Sequence, residues 1–144
     1  MFGKGLIKGL LTTLRHIPRP AVTVQYPTQK REVAPRFRGR HGMRVDADGD
    51  VLCIGCKQCE RLCPDKLITV TTEKAPEGSK KKLNITGFTL DAGACMFCGL
   101  CEDTCPTHAI VLTRFYETAT PNRDEIFLDL DKLKESGKDY ELPE

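Results

Sequence analysis

The chain of 144 residues has no tryptophan, and aromatic residues make up only 6% of it. So short a chain with so few large apolar side chains builds a thin hydrophobic core, and part of its folding free energy must come from another source. It also lacks a run of about 20 apolar residues, the length that crosses a bilayer, so we expect no membrane-spanning segment. These shortages favour one small domain with extensions.

Groups that are poised for substrate chemistry are also scarce. The three histidines, His16, His41 and His108, are scattered without ligand spacing, and we interpret them as structural. The chain has neither a phosphate-binding loop nor a glycine-rich dinucleotide fingerprint. Residues 46–50 begin like a calcium loop, but the sixth position is Val51 and not glycine, so we interpret them as a hairpin turn. We therefore predict no catalytic residue.

Eight cysteines stand out against this scarcity, in two runs with the spacing C-x2-C-x2-C-x3-C-P. The runs are Cys53, Cys56, Cys59 and Cys63 before Pro64, and Cys95, Cys98, Cys101 and Cys105 before Pro106. Bacterial two-cluster ferredoxins hold [4Fe–4S] clusters with this spacing. Zinc sites use C-x2-C pairs without the third cysteine, and a disulfide framework needs an oxidising compartment. We therefore predict two [4Fe–4S] clusters as cofactors.

The same spacing predicts how the thiolates are shared. In two-cluster proteins the fourth cysteine of each run ligates the cluster of the other run. The predicted ligands are Cys53, Cys56, Cys59 and Cys105 for cluster 1, and Cys63, Cys95, Cys98 and Cys101 for cluster 2. Gly55 and Gly99 let backbone N–H groups approach the sulfurs. Pro64 and Pro106 disfavour helical geometry for the cysteine before them, so we expect the short helix of each run to end at its fourth cysteine.

An internal repeat accompanies the cysteines. The two runs align at an offset of 42 residues, and at this offset Ile68 also matches Ile110. Each half reads as a strand, a cysteine loop, a short helix and a strand. Each half also lends a ligand to the other, so we expect neither to fold stably alone. We predict an α+β, ferredoxin-like domain over residues 43–113 with a pseudo-twofold repeat, in which residues 73–82 form a solvated loop.

An amphipathic helix is predicted over residues 1–17. Apolar residues recur there with helical spacing on one face, and the basic residues lie on the other face. The apolar face consists of Phe2, Leu6, Ile7, Leu10, Leu11, Leu14 and Ile17. Three interpretations remain open at this point. The helix lies in a membrane interface beside anionic headgroups, it docks in an apolar groove of a partner protein, or it is an organelle transit peptide.

The net charge of +2 conceals an asymmetry, because residues 1–44 carry ten basic residues and one acidic residue, whereas the remainder is acidic. Residues 18–42 contain four prolines and five arginines, and we predict an extended strap that lies on partner proteins. Nucleic acid is a rival partner for an arginine-rich arm, but nothing else in the chain supports it. Residues 114–144 are predicted to form an acidic extension that packs on the domain or on a partner.

Six segments then point to a known family. They are Val22–Pro27, Pro35–His41, Cys53–Lys57, Cys63–Pro64, Cys95–Gly99 and Glu117–Thr120, in this order along the chain. Together they resemble the two-[4Fe–4S] subunit of respiratory complex I, the subunit I (TYKY-type) of NADH:quinone oxidoreductase. The resemblance covers nearly the whole chain. The segment Pro35-Arg36-Phe37-Arg38-Gly39-Arg40-His41, which we call the arginine motif, is more discriminating than the cysteines.

The resemblance implies a non-catalytic electron-relay subunit of a translocating oxidoreductase. Electrons would arrive from peripheral-arm clusters at cluster 1, pass to cluster 2, and continue to the terminal cluster of a neighbouring subunit and to quinone. The implied partners are other complex I subunits and, through residues 2–17, the membrane surface. The implied place is the cytoplasmic face of the bacterial inner membrane, or the matrix side in mitochondria. The alternatives are the equivalent subunit of a related membrane-bound hydrogenase or dehydrogenase, and a free soluble ferredoxin.

Overall fold

A computed structural model describes residues 3–75, 83–138 and 140 of the chain. The chain divides into two compact units between Glu32 and Val33. The first unit contains helix α1, Lys4–Leu14. The elements of the second unit are β1 (His41–Met43), α2 (Gln58–Leu62), β2 (Ile68–Lys74), β3 (Leu83–Asp91), α3 (Leu100–Asp103), β4 (Ile110–Leu112), a 3-10 turn (Arg123–Glu125), β5 (Phe127–Leu128) and α4 (Leu130–Gly137).

Helix α1 is shorter than the predicted helix over residues 1–17. Its regular turns end at Leu14, and tighter backbone turns follow before Pro18, which has no N–H to continue them. No residue of α1 is buried. Its five apolar side chains are between 51% and 69% exposed: Leu6, Ile7, Leu10, Leu11 and Leu14. Phe2, which we predicted on the same face, lies outside the described residues. The apolar face is therefore not covered within its own unit.

The strands of the second unit form two small antiparallel sheets. In one, β1 pairs with β4, so that His41 lies opposite Leu112 and Met43 opposite Ile110. In the other, β2 pairs with β3, and β3 pairs with β5. Strands β1 and β4, at the two ends of the cysteine region, thus pair with each other, and so do β2 and β3, which lie between the two runs. Each sheet consequently joins the first half of that region to the second half.

The hydrophobic core of the second unit contains cysteine side chains as well as apolar ones. Along β2, burial alternates as expected for a strand with one covered face, and Ile68 and Val70 point inward. They join Phe88 and Leu90 of β3 in the core. Four cysteines belong to the same buried cluster, namely Cys53, Cys59, Cys101 and Cys105. This agrees with the shortage of large apolar side chains in the sequence.

Strand β1 begins two residues before the predicted domain boundary at residue 43. The cause lies in the preceding backbone, where Gly39 N donates to Thr113 O at 2.9 Å and Thr113 N donates to Arg40 O at 2.9 Å. These bonds extend the pairing of β1 with β4 to Gly39 and Arg40 of the arginine motif. His41 and Gly42, which we assigned to the strap, therefore belong to the folded domain.

Two local predictions have different outcomes. The hairpin turn at residues 46–50 is confirmed, because Val45 pairs with Val51 and the Asp46 Oδ1 atom accepts from Asp50 N at 2.8 Å. The solvated loop was predicted to begin at residue 73, which is wrong because β2 continues to Lys74 opposite Leu83. The part of that loop at residues 76–82 lies outside the described residues.

The acidic extension packs back on the domain. Asp129 begins α4 by accepting from Lys132 N at 2.9 Å, and Leu133 on this helix is fully buried. The helix ends against β1 at Gly137, where an added Cβ would overlap the carbonyl of Met43. No helix among residues 3–75, 83–138 and 140 is long and apolar enough to cross a bilayer.

Candidate metal centre

Four of the eight thiols line one small cavity inside the second unit. They are those of Cys53, Cys56, Cys59 and Cys105. The first two lie in the loop before α2, the third lies on α2, and Cys105 follows α3. Apolar side chains close the cavity between them, among them Met43, Val70, Phe88 and Ile110. The structure thus brings the last cysteine of the second run together with the first three cysteines of the first run.

The other four cysteines lie around the second run. Burial raises the pKa of Cys95, and the neighbouring charges of Cys63 and Cys98 raise it further. Burial likewise raises the pKa of Cys101 to about 12, with contributions from Cys95, then Cys59 of the first run, then Cys98. Cys63 is thus near enough to Cys95 to affect its pKa, although it follows Cys59 by four residues in the sequence.

The two cysteine regions have left-handed backbones at equivalent positions. Three pairs of positions, each 42 residues apart, share a left-handed backbone: Gly55 with Phe97, Lys57 with Gly99, and Lys66 with His108. Such a conformation costs a residue with a side chain roughly 1–2 kcal/mol. It persists at four non-glycine positions here, so the surrounding structure must determine the path of both loops.

Backbone N–H groups point at several sulfurs. Ala109 N donates to Cys105 Sγ at 3.2 Å, and Leu67 N donates to Cys63 Sγ at 3.4 Å. These two bonds again lie 42 residues apart. Hydrogen bonds to sulfur stabilise thiolate charge and tune the potential of a bound iron–sulfur cluster.

The donor set fits a positively charged group that binds thiolates. Burial first, and then the charges of neighbouring thiols, raise the pKa of Cys59 to about 11. At Cys105 burial acts in the same direction, but hydrogen bonds from Ile110, Ala109 and Thr107 outweigh it and lower the pKa. Four thiolates around one apolar cavity repel each other unless cations compensate them, and iron does so in a [4Fe–4S] cluster.

All eight cysteines lie among the described residues, and none of them forms a disulfide. The disulfide framework that we weighed against a metal site is thus not present. In the described ranges, no three His, Cys, Asp or Glu side chains are placed to hold a single metal ion.

His41, which we interpreted as structural, lies beside the second cysteine loop. It is buried, its ring stacks on Phe97 with 5.5 Å between centroids, and its Nε2 atom lies 4.0 Å from Cys95 Sγ. Burial lowers the pKa of His41 to about 4, so the ring is neutral near pH 7. No spacing rule connects residue 41 with residue 95, which are 54 positions apart in the sequence.

The cysteine region and the whole chain both match known proteins. Residues 52–109 match the family model of a 4Fe-4S dicluster domain. Over 130 residues, the chain is 34% identical to "NADH-quinone oxidoreductase subunit I 2" of Geobacter metallireducens, covering 90% of this chain and 96% of that relative. The chain belongs to the NADH-quinone oxidoreductase subunit I family. Its dicluster domain has two [4Fe–4S] clusters as cofactors, as the cysteine spacing predicted.

Other members of the subunit I family are similar to it at different lengths. The chain is 41% identical to "NADH-quinone oxidoreductase subunit I 1" of Koribacter versatilis, covering 86% of this chain and 81% of that protein. It is 34% identical to "NADH-quinone oxidoreductase subunit I 2" of Symbiobacterium thermophilum, covering 99% of this chain. The chain spans 59% of the Symbiobacterium protein and 55% of the Gloeobacter violaceus "NAD(P)H-quinone oxidoreductase subunit I".

A solved structure also resembles this subunit I family member. It is a chain of the membrane-bound sulfane sulfur reductase, described as an archaeal respiratory membrane complex. The TM-score is 0.55 at 30% sequence identity, and the match covers 78% of this chain and 55% of that chain. The likeness therefore extends beyond the cysteine loops to most of the described fold.

Proposed function

We propose that this chain is a non-catalytic electron-relay subunit of an NADH:quinone oxidoreductase of the complex I type. Each [4Fe–4S] cluster would take up and release one electron. The observation that carries the proposal is that four thiols drawn from both runs line one cavity, and that the other four lie in the same small domain. Helices α2 and α3 pack together, and the charge of Cys59 on α2 contributes to the raised pKa of Cys101 on α3, after burial and Cys95. Groups this close favour transfer from one cluster to the other.

We assign four ligands to each cluster. Cluster 1 takes Cys53, Cys56, Cys59 and Cys105, and cluster 2 takes Cys63, Cys95, Cys98 and Cys101. The shared cavity supports the first set, and the position of Cys63 beside Cys95 supports the second. The chain's own part in the transfer is to hold the thiolates, to exclude water with apolar side chains, and to direct N–H groups at sulfur.

The two halves of the domain are proposed to be pseudo-twofold repeats. The three pairs of left-handed positions at an offset of 42 residues support this, as do the equivalent N–H bonds to Cys63 and Cys105. In each half the fourth cysteine leaves its own run and joins the opposite group. The repeat therefore accounts for the exchange of ligands between the halves.

The proposed partners are the other subunits of the complex. Electrons would enter at cluster 1 from peripheral-arm clusters and leave cluster 2 towards a terminal cluster and quinone. Residues 18–32 contain no described helix or strand and are exposed, which supports an extended strap that lies on neighbouring subunits. The subunit would be peripheral, on the cytoplasmic face of the membrane or on the matrix side in mitochondria.

Helix α1 is proposed to lie on the membrane surface. Its apolar face is uncovered within its unit, and Lys4, Lys8 and Arg15 supply positive charge for anionic headgroups. We expect Leu10→Glu to reduce the binding of the full chain to vesicles with anionic lipid about tenfold, because it places a charge in the apolar face that would contact the lipid. Flotation of vesicles measures the bound fraction.

The matched control for this prediction is Thr12→Glu, which adds the same charge on the opposite face of the helix. It should reduce binding much less, and both variants should retain their iron. Equal losses for the two variants would mean that only net charge matters. Undiminished binding of Leu10→Glu would count against a membrane role for α1, and removal of residues 2–17 extends the same test to the whole helix.

Isolation of the native complex tests the proposed function. We expect the chain to copurify with NADH-binding and flavin-binding subunits. The second candidate is the equivalent subunit of a related membrane-bound hydrogenase or dehydrogenase, favoured by the likeness to the sulfane sulfur reductase chain. It would bring a different catalytic subunit, such as a nickel–iron protein. A chain that purifies alone with both clusters would be a free carrier ferredoxin instead.

A further inference from the structure

We propose that Arg38 and His41 of the arginine motif complete the site of cluster 2 and raise its reduction potential selectively. The inference rests on the proposed function, because it takes the two ligand sets as assigned there. It concerns residues that are not ligands and that precede the first cysteine by more than ten positions. It gives part of the predicted strap a role inside the domain in addition to any role in docking.

The backbone of the arginine motif is fixed where it crosses the domain. Gly39 lies so close to the carbonyls of Thr113 and Phe115 that an added Cβ would overlap them. The hydroxyl of Thr113 donates to Arg40 O at 2.8 Å, and Arg40 N donates to Phe115 O at 2.8 Å. The residues on either side of this crossing therefore occupy defined places beside the second cysteine loop.

Arg38 lies on one end of that loop. Its Nη1 atom donates to Cys98 O at 2.5 Å, although the residue itself is exposed. Its guanidinium also covers Gly99, where an added Cβ would lie 2.9 Å from the Cζ atom. Gly99 has a left-handed backbone with φ of 85°, so the loop and the arginine are fitted to each other.

The first cysteine loop has an equivalent contact from within its own sequence. Arg61 Nη2 donates to Cys56 O at 3.4 Å, and Cys56 precedes Cys98 by 42 residues. The residue 42 positions after Arg61 is Asp103, which is acidic. The second half thus lacks its own guanidinium at this point. Arg38 supplies it from the arginine motif.

His41 reaches the other end of the same loop. Its Nε2 atom is near Cys95 Sγ, and its ring is held by stacking on Phe97. Its Nδ1 atom is buried and has no hydrogen-bond partner within the described part of the chain. Placing the single ring proton on Nε2 directs the N–H at the sulfur, and this is the tautomer that we assign.

Both contacts favour the reduced form of cluster 2. Reduction adds one negative charge, and a nearby cation or an N–H bond to sulfur stabilises that charge. Because Arg38 is exposed, solvent screens its effect, and we expect a change of about fivefold in the ratio of reduced to oxidised cluster at a fixed potential. The acidic residues Glu102 and Asp103 lower the potential of cluster 2, and Arg38 offsets part of their effect.

The test compares Arg38→Gln with Arg36→Gln in the full chain carrying both clusters. The two variants lose the same charge two residues apart in the same segment. Film voltammetry resolves one wave for each cluster, and Cys98→Ser identifies the wave of cluster 2. We expect Arg38→Gln to lower that potential by the equivalent of about fivefold in the redox ratio, and Arg36→Gln to leave both waves in place. A shift of both waves by similar amounts, or of neither, would overturn the role of Arg38.

A second variant examines the imidazole. His41→Phe keeps a flat ring against Phe97 but removes the N–H group, so the wave of cluster 2 should again move to lower potential while cluster 1 stays unchanged. An unchanged wave in a variant with full iron content would overturn the role of His41. Failure of the proposed function would look different, because the unmodified chain would then have fewer than two waves or too little iron for two clusters.

Discussion

Replacing Cys63 by alanine removes cluster 2 and leaves cluster 1 bound, although Cys63 follows the cluster 1 ligand Cys59 by four residues. The expectation follows from the place of Cys63 beside Cys95. Loss of one thiolate in four destabilises its own cluster, while the cavity of cluster 1 keeps its complete set of ligands. Iron and acid-labile sulfide should both fall by about half per chain. The reciprocal variant Cys105→Ala should remove cluster 1 instead.

Paired serine variants provide the sharper comparison, since serine keeps an oxygen donor and disturbs the fold less. Cys63→Ser and Cys98→Ser should alter the same electron paramagnetic resonance signal. Cys105→Ser and Cys56→Ser should alter the other signal. The grouping of the variants assigns the ligands even when neither signal has been attributed to a cluster. If Cys63→Ser grouped with Cys56→Ser, the exchange of fourth ligands would be wrong.

Gly137→Ala should strongly destabilise the second unit. A methyl group at this position would overlap the carbonyl oxygen of Met43, and the opposing surface is backbone that cannot rotate away. Helix α4 would have to move off β1, which would expose Leu133 and its neighbours. Overpacking of this kind costs about 3 kcal/mol. Thermal unfolding of the chain with both clusters bound should show a clearly lower Tm.

The control for this prediction is Gly87→Ala on β3. A Cβ there would lie 3.5 Å from the side chain of Thr71, which is ordinary van der Waals contact. We expect a change of about 1 kcal/mol or less. Equal effects of Gly137→Ala and Gly87→Ala would show that the close approach of α4 and β1 does not govern stability.

The features that local chemistry determines were predictable from the sequence. Eight cysteines at a repeated spacing predicted the cofactors of the dicluster domain, because each loop needs its thiols at defined intervals. The hairpin at residues 46–50 was predicted because the segment departs from a calcium loop at Val51, and the structure shows Asp46 accepting from the backbone of the same turn. The short strands that start at Ile68 and Ile110 followed from their β-branched residues.

The features that distant segments create were not predictable in this way. A strand before the first cysteine loop was predicted from the repeat, but its position was not, because the three residues of β1 are all buried and show no alternation. The packing of α4 on β1 depends on the close approach of Gly137 and Gly42, which leaves no periodic signal in the sequence. The position of His41 beside Cys95 was likewise not predictable, since the two residues are 54 positions apart in the sequence.

The pairing of β1 with β4 sets a condition on biosynthesis. During translation, His41 leaves the ribosome long before Leu112, its partner across the sheet. During that interval β1 lacks its partner strand, and the thiols of the first run are not yet enclosed by the folded domain. Iron delivery to this chain should therefore be a late event that follows release of the whole cysteine region. A delivery factor that loads the nascent first run alone would have no stable product.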